Sequence, residues 1–77
     1  MDTVSGQLLS IAESWPLQLT VRASDGSTWA ATLGDAAQVS VRGAPASPAS
    51  LRPGQQVDLR GRLVALRALS VEHANVL

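Results

Sequence analysis

The stretch that decides the fold reads Leu51-Arg52-Pro53-Gly54-Gln55-Gln56-Val57-Asp58-Leu59-Arg60-Gly61-Arg62-Leu63. Its beginning favours a turn, because Pro53 fixes its own φ and Gly54 tolerates a positive φ. From Gln56 onward apolar and polar residues alternate, as in a strand with one buried face. The alternation predicts an inward row of Val57, Leu59, Gly61 and Leu63 and an outward row of Gln56, Asp58, Arg60 and Arg62. The stretch therefore predicts one strand of a small antiparallel β domain.

The composition indicates one small domain, residues 1–77, that depends on its apolar core. Cysteine is absent, which excludes a disulfide framework and a thiolate metal site. Apolar residues make up 45% of the chain, mostly Ala, Val and Leu, and the two aromatic residues are Trp15 and Trp29. Small aliphatic side chains suit the narrow interior of a β-barrel.

The formal net charge of the chain is zero, because six Arg balance six acidic residues and Lys is absent. A neutral protein creates no long-range field that attracts polyanions, which is weak evidence against nucleic acid binding. The sequence has no apolar run long enough for a membrane span, and its start, Met1-Asp2-Thr3, lacks the features of a signal peptide. We therefore expect a soluble chain, cytoplasmic or, if a leader has been removed, extracytoplasmic.

The N-terminal segment predicts a bent strand. Val4, Gly6 and Leu8 alternate in one phase, and Leu9 and Ile11 continue in the other. A phase change of this kind indicates a bulge or a sharp bend. A bent first strand with an internal glycine can belong to two sheets or close a barrel. Residues 13–16 then form the first predicted loop.

A predicted hairpin follows, and the length of its turn decides where Trp29 lies. Residues 17–23 alternate as a second strand, and Ser24-Asp25-Gly26-Ser27 is a hairpin signal. A two-residue loop would leave Trp29 outside beside Arg22, whereas a three-residue loop places Trp29, Ala31 and Leu33 inward. We predict the three-residue loop, because burial of apolar area contributes about 25 cal/mol per Å² and the indole is much larger than a threonine methyl group.

The third strand is predicted to continue past Gly34-Asp35 into an alternating row that ends at Val41, followed by a turn at residues 42–45. Ser47 is placed to cap a helix, and Pro48 suits a first helical position. These residues predict one or two turns of helix before Pro53 ends them. Leu51 is predicted to plug one end of the barrel.

The tail, residues 62–77, allows two interpretations. Leu69 and Val71 alternate in one phase and Ala74 and Val76 in the other, which indicates a last strand with a bulge near Glu72-His73. A helix is the alternative, because Leu59, Leu63 and Leu66 also fit helical spacing and residues 62–77 contain no Gly or Pro. We favour the strand, since the alternating segment before it must turn to find a partner.

This order of elements resembles the OB-fold, a five-stranded Greek-key barrel. Residues 17–21, the Asp25-Gly26 turn, residues 37–43 and above all residues 51–61 look like small bacterial OB-like barrels of uncharacterised function, which are often extracytoplasmic. The resemblance implies an all-β, mainly antiparallel barrel over residues 1–77, with one short helix before strand 4. The connection Val64-Ala65-Leu66-Arg67 departs from the pattern, because it lacks Gly, Asp and Asn.

The resemblance also implies where a ligand would lie. In OB-folds the ligand crosses strands 2 and 3 and is held by the loops between strands 1 and 2 and strands 4 and 5. Carried over by position, the candidate residues are Trp15, Thr20, Arg22 and Arg67, with Arg60 and Arg62 on the outer face of strand 4. An indole beside guanidinium groups can bind single-stranded nucleic acid. The plainer interpretation is that Trp15 packs over the barrel end and that the arginines are solvated or paired with Asp58 and Glu72.

Catalysis has little support in the sequence. His73 is the only histidine and has no second ligand at a metal spacing, and no Gly-x-Ser-x-Gly or phosphate-binding glycine pattern occurs. We therefore expect no enzyme, no cofactor and no metal site.

The function predicted instead is a non-enzymatic binding or assembly module. Exposed strand edges and apolar tails such as Val76-Leu77 invite pairing, so a protein partner or a homo-oligomer is expected. The alternative hypothesis is weak single-stranded DNA or RNA binding through Trp15, Arg22, Arg60 and Arg62. A sugar or a small amphiphile is a third possibility.

Overall fold

A computed structural model describes residues 2–12 and 16–77 of the chain. Its elements are β1 (Asp2–Ala12), β2 (Leu17–Ala23), β3 (Thr28–Val41), β4 (Ala44–Ala46), a 3-10 turn (Pro48–Ser50), β5 (Gln56–Ala65) and β6 (Ala68–Val76). The strands follow the order β2-β1-β5-β6-β3-β4, and the pairing of β2 with β3 closes a five-stranded barrel with β4 at its side. The predicted all-β barrel is confirmed.

The sheet is mixed, because β3 and β6 pair in parallel. The pairs β1–β2, β1–β5, β2–β3 and β5–β6 are antiparallel. The barrel is filled by aliphatic side chains from all five of its strands, together with Leu51 from the connection before β5. Leu51 is therefore buried, as the sequence predicts. Within the described residues, no helix has the length and hydropathy needed to cross a membrane.

The hairpin between β2 and β3 has the predicted three-residue loop. Val21 lies opposite Trp29, and the Ala23 N–H donates to the Ser27 carbonyl at 2.8 Å. Gly26 has a φ of 88°, a conformation that glycine adopts without a steric penalty. The indole of Trp29 packs against the core and donates from Nε1 to Ser27 Oγ at 3.1 Å. The inward placement of Trp29 is thus confirmed, although its side chain is only half-buried.

The turn of this hairpin lowers the pKa of Asp25. Its carboxylate accepts hydrogen bonds from the Ser27 hydroxyl at 2.6 Å and from the Ser27 N–H at 2.9 Å, and both favour the charged form. We expect Ser27→Ala to raise the pKa of Asp25 part of the way to its ordinary value, in an NMR titration of the carboxylate.

The lowered pKa of Asp25 determines how the stability of the fold changes with pH. A lowered pKa in the folded state adds stability above the unfolded value of about 3.9, and this stability disappears as the pH falls through the lower folded value. Urea unfolding between pH 5 and pH 2 should therefore show a weaker acid dependence for Ser27→Ala than for the wild type. An unchanged Asp25 titration in Ser27→Ala would contradict the assignment of the Ser27 hydroxyl as the main cause.

Strand β1 is bent where the phase change predicts it. Its register with β2 shifts between Leu8 and Ser10, so the ladder is interrupted at Leu9. Gly6 lies opposite Ala23 on β2 and Val57 on β5, so β1 pairs along both of its edges. This strand therefore joins the two sides of the barrel, as its internal glycine suggests.

The predicted helix before β5 is wrong in kind. Only the 3-10 turn Pro48–Ser50 forms, and the Ser47 side chain makes no capping hydrogen bond. Leu51 already has extended backbone, with φ −76° and ψ 135°. The reason is that Pro48 and Pro53 lie close together in the sequence. Pro53 disfavours helical backbone at the residue before it, so too few residues remain between the two prolines for the hydrogen bonds of an α-helix.

Strand β4 is an element that the sequence analysis did not predict. Arg42 and Gly43 have φ values of 52° and 83°, which is typical of a two-residue type I′ turn, so β3 turns back directly into β4. Pro45 lies opposite Ser40 within β4. A proline is tolerated on an edge strand, where its missing N–H costs no ladder bond, and it makes that edge a poor template for further strands.

The tail forms a strand, and the helical interpretation is wrong. β5 and β6 are joined by a turn at Leu66 and Arg67, in which Arg67 takes a φ of 54°. The register moves from Arg60 opposite His73 to Gly61 opposite Val71, so the bulge lies at Glu72, as predicted.

One member of the predicted inward row of β5 is misplaced. Val57, Leu59 and Gly61 are buried, but the side chain of Leu63 is 47% exposed. Among the described residues, the pairing of β5 with β1 reaches only to Gly61, which lies opposite Asp2, whereas Leu63 pairs with Leu69 of β6. Leu63 extends beyond this point, where alternation no longer leads to burial.

Candidate functional site

The face expected to bind a ligand in an OB-fold gathers three of the candidate residues. Thr20 and Arg22 alternate with buried residues on β2 and therefore point outward. Thr20 lies opposite Ala30 on β3, and the Ala30 N–H donates to the Arg67 carbonyl at 2.9 Å. The turn that carries Arg67 thus lies beside β3, at the border of this face.

The other candidates are not brought to the same place. Arg60 and Arg62 lie on β5, which β1 separates from β2 in the barrel. Trp15 lies outside the described residues. The indole of Trp29 points inward, and among the described residues the outer face of β2 and β3 instead carries polar groups, such as the Thr32 hydroxyl that donates to Gln18 Oε1 at 3.2 Å. The described part of this face therefore offers no aromatic ring for stacking.

A hollow of about 780 Å³ lies elsewhere, on the outer faces of β3, β5 and β6 beside β4. Its polar lining includes Ser40 from β3, Asp58 and Arg60 from β5, and His73 and Asn75 from β6. On the β5–β6 ladder, Asp58 lies opposite Asn75 and Arg60 lies opposite His73. The side chains thus form two polar pairs on one face of the sheet. We call this surface the polar hollow.

Hydrogen bonds fix the floor of the polar hollow. Ser40 Oγ donates to Asn75 Oδ1 at 2.6 Å, and the Gly43 N–H donates to the same oxygen at 3.3 Å. The Gly43 N–H requires an acceptor, which supports this orientation of the Asn75 amide. Ser40 Oγ lies 3.0 Å from His73 Nε2. Since the hydroxyl proton is directed to Asn75, His73 donates from Nε2 and, in the neutral ring, leaves Nδ1 unprotonated.

This arrangement orients polar groups rather than activating a nucleophile. A serine nucleophile requires a histidine that accepts the hydroxyl proton, whereas here the proton of Ser40 is held by Asn75. Ser40 is also buried, with 8% of its surface exposed. Among the described residues, no group of three or more His, Asp or Glu could hold a metal ion.

Sequence reasoning identified Arg60 but missed the rest of the polar hollow. His73 was considered as a metal ligand without a partner, and Ser40 and Asn75 were not singled out. Alternation does place these side chains outward, but the hydrogen bonds depend on the parallel pairing that sets Ser40 opposite Asn75. No local sequence signal specifies that pairing.

The end of the β5–β6 hairpin exposes apolar side chains. Leu63, Val64 and Leu66 are exposed by 47%, 62% and 91%. All residues from 63 to 66 are exposed, so the described part of the chain covers neither side of this end. Residues 63–66 are called the hairpin tip below, and Arg62 and Arg67 flank them. The Asp2 carboxylate accepts the Leu63 N–H at 3.2 Å, which occupies one backbone donor of the exposed edge.

The strand connectivity is consistent with a small OB-like barrel. Comparison of the chain with protein-family models, with curated proteins and with solved structures finds no match. The function is therefore argued from the geometry of its surfaces.

Proposed function

We propose that this chain is a non-enzymatic OB-like binding module that docks on a protein partner through its hairpin tip. The observation that carries the proposal is the exposure of Leu63, Val64 and Leu66 at one projecting end of the barrel. A contiguous apolar patch on a small protein is typical of an interaction site. Removing such surface from water contributes about 25 cal/mol per Å², so a partner that covers the tip gains affinity.

The shape of the tip favours a different protein over a second copy of this chain. A projecting hairpin end is convex, and two convex tips related by a two-fold axis cannot cover each other well. The lining of the chain's own hollow includes charged and amide groups, which leucine side chains would leave without hydrogen-bond partners. A concave apolar socket on another protein complements the tip better than a second copy of this chain does.

The arginines beside the hairpin tip indicate which charged groups should surround the socket on the partner. Arg62 and Arg67 lie on either side of the tip, and residues 59–71 contain three Arg and no acidic residue. Asp2 and Asp25 lie near this hairpin and offset part of its charge, which leaves a positive balance. Carboxylates around the socket would complement the arginines and set the orientation of the complex.

A lipid surface is a less suitable occupant of the same tip. Segments that insert into the membrane interface use Trp and Phe as anchors together with basic residues. The hairpin tip contains only Leu, Val and Ala. A protein socket therefore remains the proposed target.

The test is a binding measurement with a matched pair of leucines. A photo-cross-linking amino acid at position 66 of the full chain identifies the partner, which is then purified and titrated by calorimetry. We expect Leu66→Asp to weaken binding by about 30-fold or more, as for an interface hot spot. Leu77→Asp is the control, because Val76 of the apolar tail is buried and Leu77, although 58% exposed, lies at the opposite end of β6 from the tip. Leu77→Asp should bind like the wild type.

Three outcomes would overturn the proposal. One is an equal affinity of wild type and Leu66→Asp for the cross-linked protein. Another is light scattering that shows a homo-oligomer which Leu66→Asp converts into a monomer. The third is sedimentation of the wild type, but not of Leu66→Asp, with phosphatidylserine vesicles.

A second candidate function is weak binding of single-stranded DNA or RNA on the face of β2 and β3. Its support is that Thr20 and Arg22 lie on the outer face of β2 and that the turn of Arg67 lies beside β3. These three residues are therefore the candidate phosphate ligands. The sequence-based version also included Arg60 and Arg62, but these residues lie on β5, away from this face.

This candidate predicts a distinct pattern of variants. At about 20 mM salt, where phosphate contacts are strongest, an oligonucleotide should quench the tryptophan fluorescence of the wild type. Trp15→Ala should abolish the quenching, Arg22→Ala should weaken binding, and Arg60→Ala should not change it. Absence of quenching, or an equal effect of Arg22→Ala and Arg60→Ala, contradicts the candidate.

A further inference from the structure

We propose that the polar hollow is a second binding site, independent of the hairpin tip, and that it binds a saccharide. By saccharide we mean a neutral ligand with several neighbouring hydroxyl groups. The site lies on β3, β5 and β6 rather than on the face of β2 and β3 that OB-folds use.

The polar hollow has unused hydrogen-bonding capacity. Asn75 accepts two hydrogen bonds at Oδ1, but its Nδ2 donates to none of the described residues. His73 is bonded through Nε2, which leaves Nδ1 as an acceptor. The side chains of Asp58 and Arg60 make no hydrogen bond or ion pair with the described residues. Four side chains that line one hollow are thus available to a ligand.

Two of these side chains are held in place before a ligand arrives. Ser40 is buried and bonds both His73 and Asn75, and the Gly43 N–H holds the same Asn75 oxygen. Each fixed side chain removes an ordering cost from binding. The orientation is built into the sheet, since Ser40 lies opposite Asn75 on the parallel ladder of β3 and β6.

The four available side chains indicate the kind of ligand. Arg60 and Asn75 can donate, whereas Asp58 and His73 Nδ1 can accept. A hydroxyl group both donates and accepts, so neighbouring hydroxyls can satisfy this mixture. An apolar ligand would leave these groups without partners, which costs free energy. A phosphate or carboxylate would meet Arg60 but would also be repelled by Asp58.

The rim and the size of the polar hollow fit the same class of ligand. Pro45, Ala46 and Pro48 line its edge and supply apolar surface for the C–H faces of a sugar ring. The volume of about 780 Å³ falls in the range of small-ligand sites. A sugar ring with polar edges and apolar faces matches both the lining and the edge of the hollow.

The test is an NMR titration of the full chain with hexasaccharides of glucose in α-1,4 and β-1,4 linkage and with the hexamer of N-acetylglucosamine. At least one of the three, at concentrations up to about 20 mM, should shift the amide signals of Ser40, Gly43 and Asn75 and saturate, as expected for millimolar affinity. Asp58→Asn and Arg60→Ala should each weaken that binding by about tenfold or more. Both side chains contact water, so both variants are expected to fold, which the dispersion of their spectra checks.

Two controls separate this site from its surroundings. Arg62→Ala removes an arginine from the same strand outside the polar hollow and should leave saccharide binding unchanged. Leu66→Asp should also leave it unchanged, which distinguishes failure of this inference from failure of the hairpin-tip proposal.

Several results would overturn the inference. No shift of the hollow residues with any of the three saccharides is one of them. Stronger binding of inorganic phosphate than of every saccharide would instead assign an anion site, and equal binding of glycylglycine would assign a zwitterion site. Saccharide binding that survives in both Asp58→Asn and Arg60→Ala would place the ligand elsewhere.

Discussion

Replacing Gly61 by Ala is expected to lower the free energy of unfolding by more than about 3 kcal/mol, as for severe steric overlap in a packed interior. A Cβ at Gly61 would lie 1.9 Å from the Ser70 carbonyl oxygen and 3.0 Å from Val71 Cα. These atoms belong to the backbone of β6, so no side-chain rotation relieves the overlap, and β5 and β6 must separate. A chain of this length has a total stability of only about 4 to 12 kcal/mol, so the variant is expected to be marginal or unfolded.

Gly6 lies in a similar position on β1. Its added Cβ would lie 1.9 Å from the Arg22 carbonyl oxygen, so Gly6→Ala should separate β1 from β2 with an effect of the same order. The matched control is Gly34→Ala, because Gly34 lies in β3 with no heavy atom within 4 Å of its added Cβ. Gly34→Ala should change the stability by less than about 1 kcal/mol.

Urea unfolding followed by circular dichroism measures all three glycine variants under the same conditions. If Gly61→Ala and Gly34→Ala were equally stable, the close approach of β5 and β6 would be disproved. A loss in Gly61→Ala with little change in Gly34→Ala would support the close strand spacing.

The second large effect is expected for Leu59→Ala, which should cost about 2 to 5 kcal/mol, as is usual for a leucine truncated in a core. Leu59 is 0% exposed and packs in the centre of the barrel cluster. Leu63→Ala makes the same chemical change four residues later on the same strand and in the same phase. Because Leu63 is half-exposed, its truncation should cost less than about 1 kcal/mol.

This pair distinguishes the sequence-based prediction from the structure. Alternation alone places both leucines inward and predicts similar losses. The structure predicts a large loss at position 59 and a small one at position 63. Similar denaturation midpoints for the two variants would mean that the end of β5 is covered and would remove the basis of the hairpin-tip proposal.

The sequence could predict the elements whose causes are local. The bulge in β1 follows from a change of apolar phase at Leu8-Leu9, and the bulge in β6 follows from the same kind of change near Glu72. The three-residue loop before β3 follows from comparing the area buried in two registers of Trp29. In each case, side chains that alternate along one strand determine which face meets the core, so neighbouring residues are sufficient evidence.

The candidate site was predicted only in part. Position in an OB-like barrel groups Thr20, Arg22 and Arg67, and the structure places Thr20 and Arg22 on the outer face of β2 and the turn of Arg67 beside β3. Arg60 and Arg62 were grouped with them because they also point outward, but outward residues of different strands can lie on different sides of a barrel. Trp15, the proposed stacking residue, lies outside the described residues.

By itself, the sequence predicted five of the six strands, most of their inward faces and most of the turns, because alternation and turn chemistry act over a few residues. Only the tertiary structure decided that β3 lies beside β6 in parallel, which joins Ser40 to His73 and Asn75 across more than 30 residues of chain. It also decided that the described pairing of β1 with β5 reaches only to Gly61, and that Leu63 beyond it is half-exposed. Both outcomes depend on which strands become neighbours and how far they overlap, and this is set by closure of the whole barrel rather than by any local pattern.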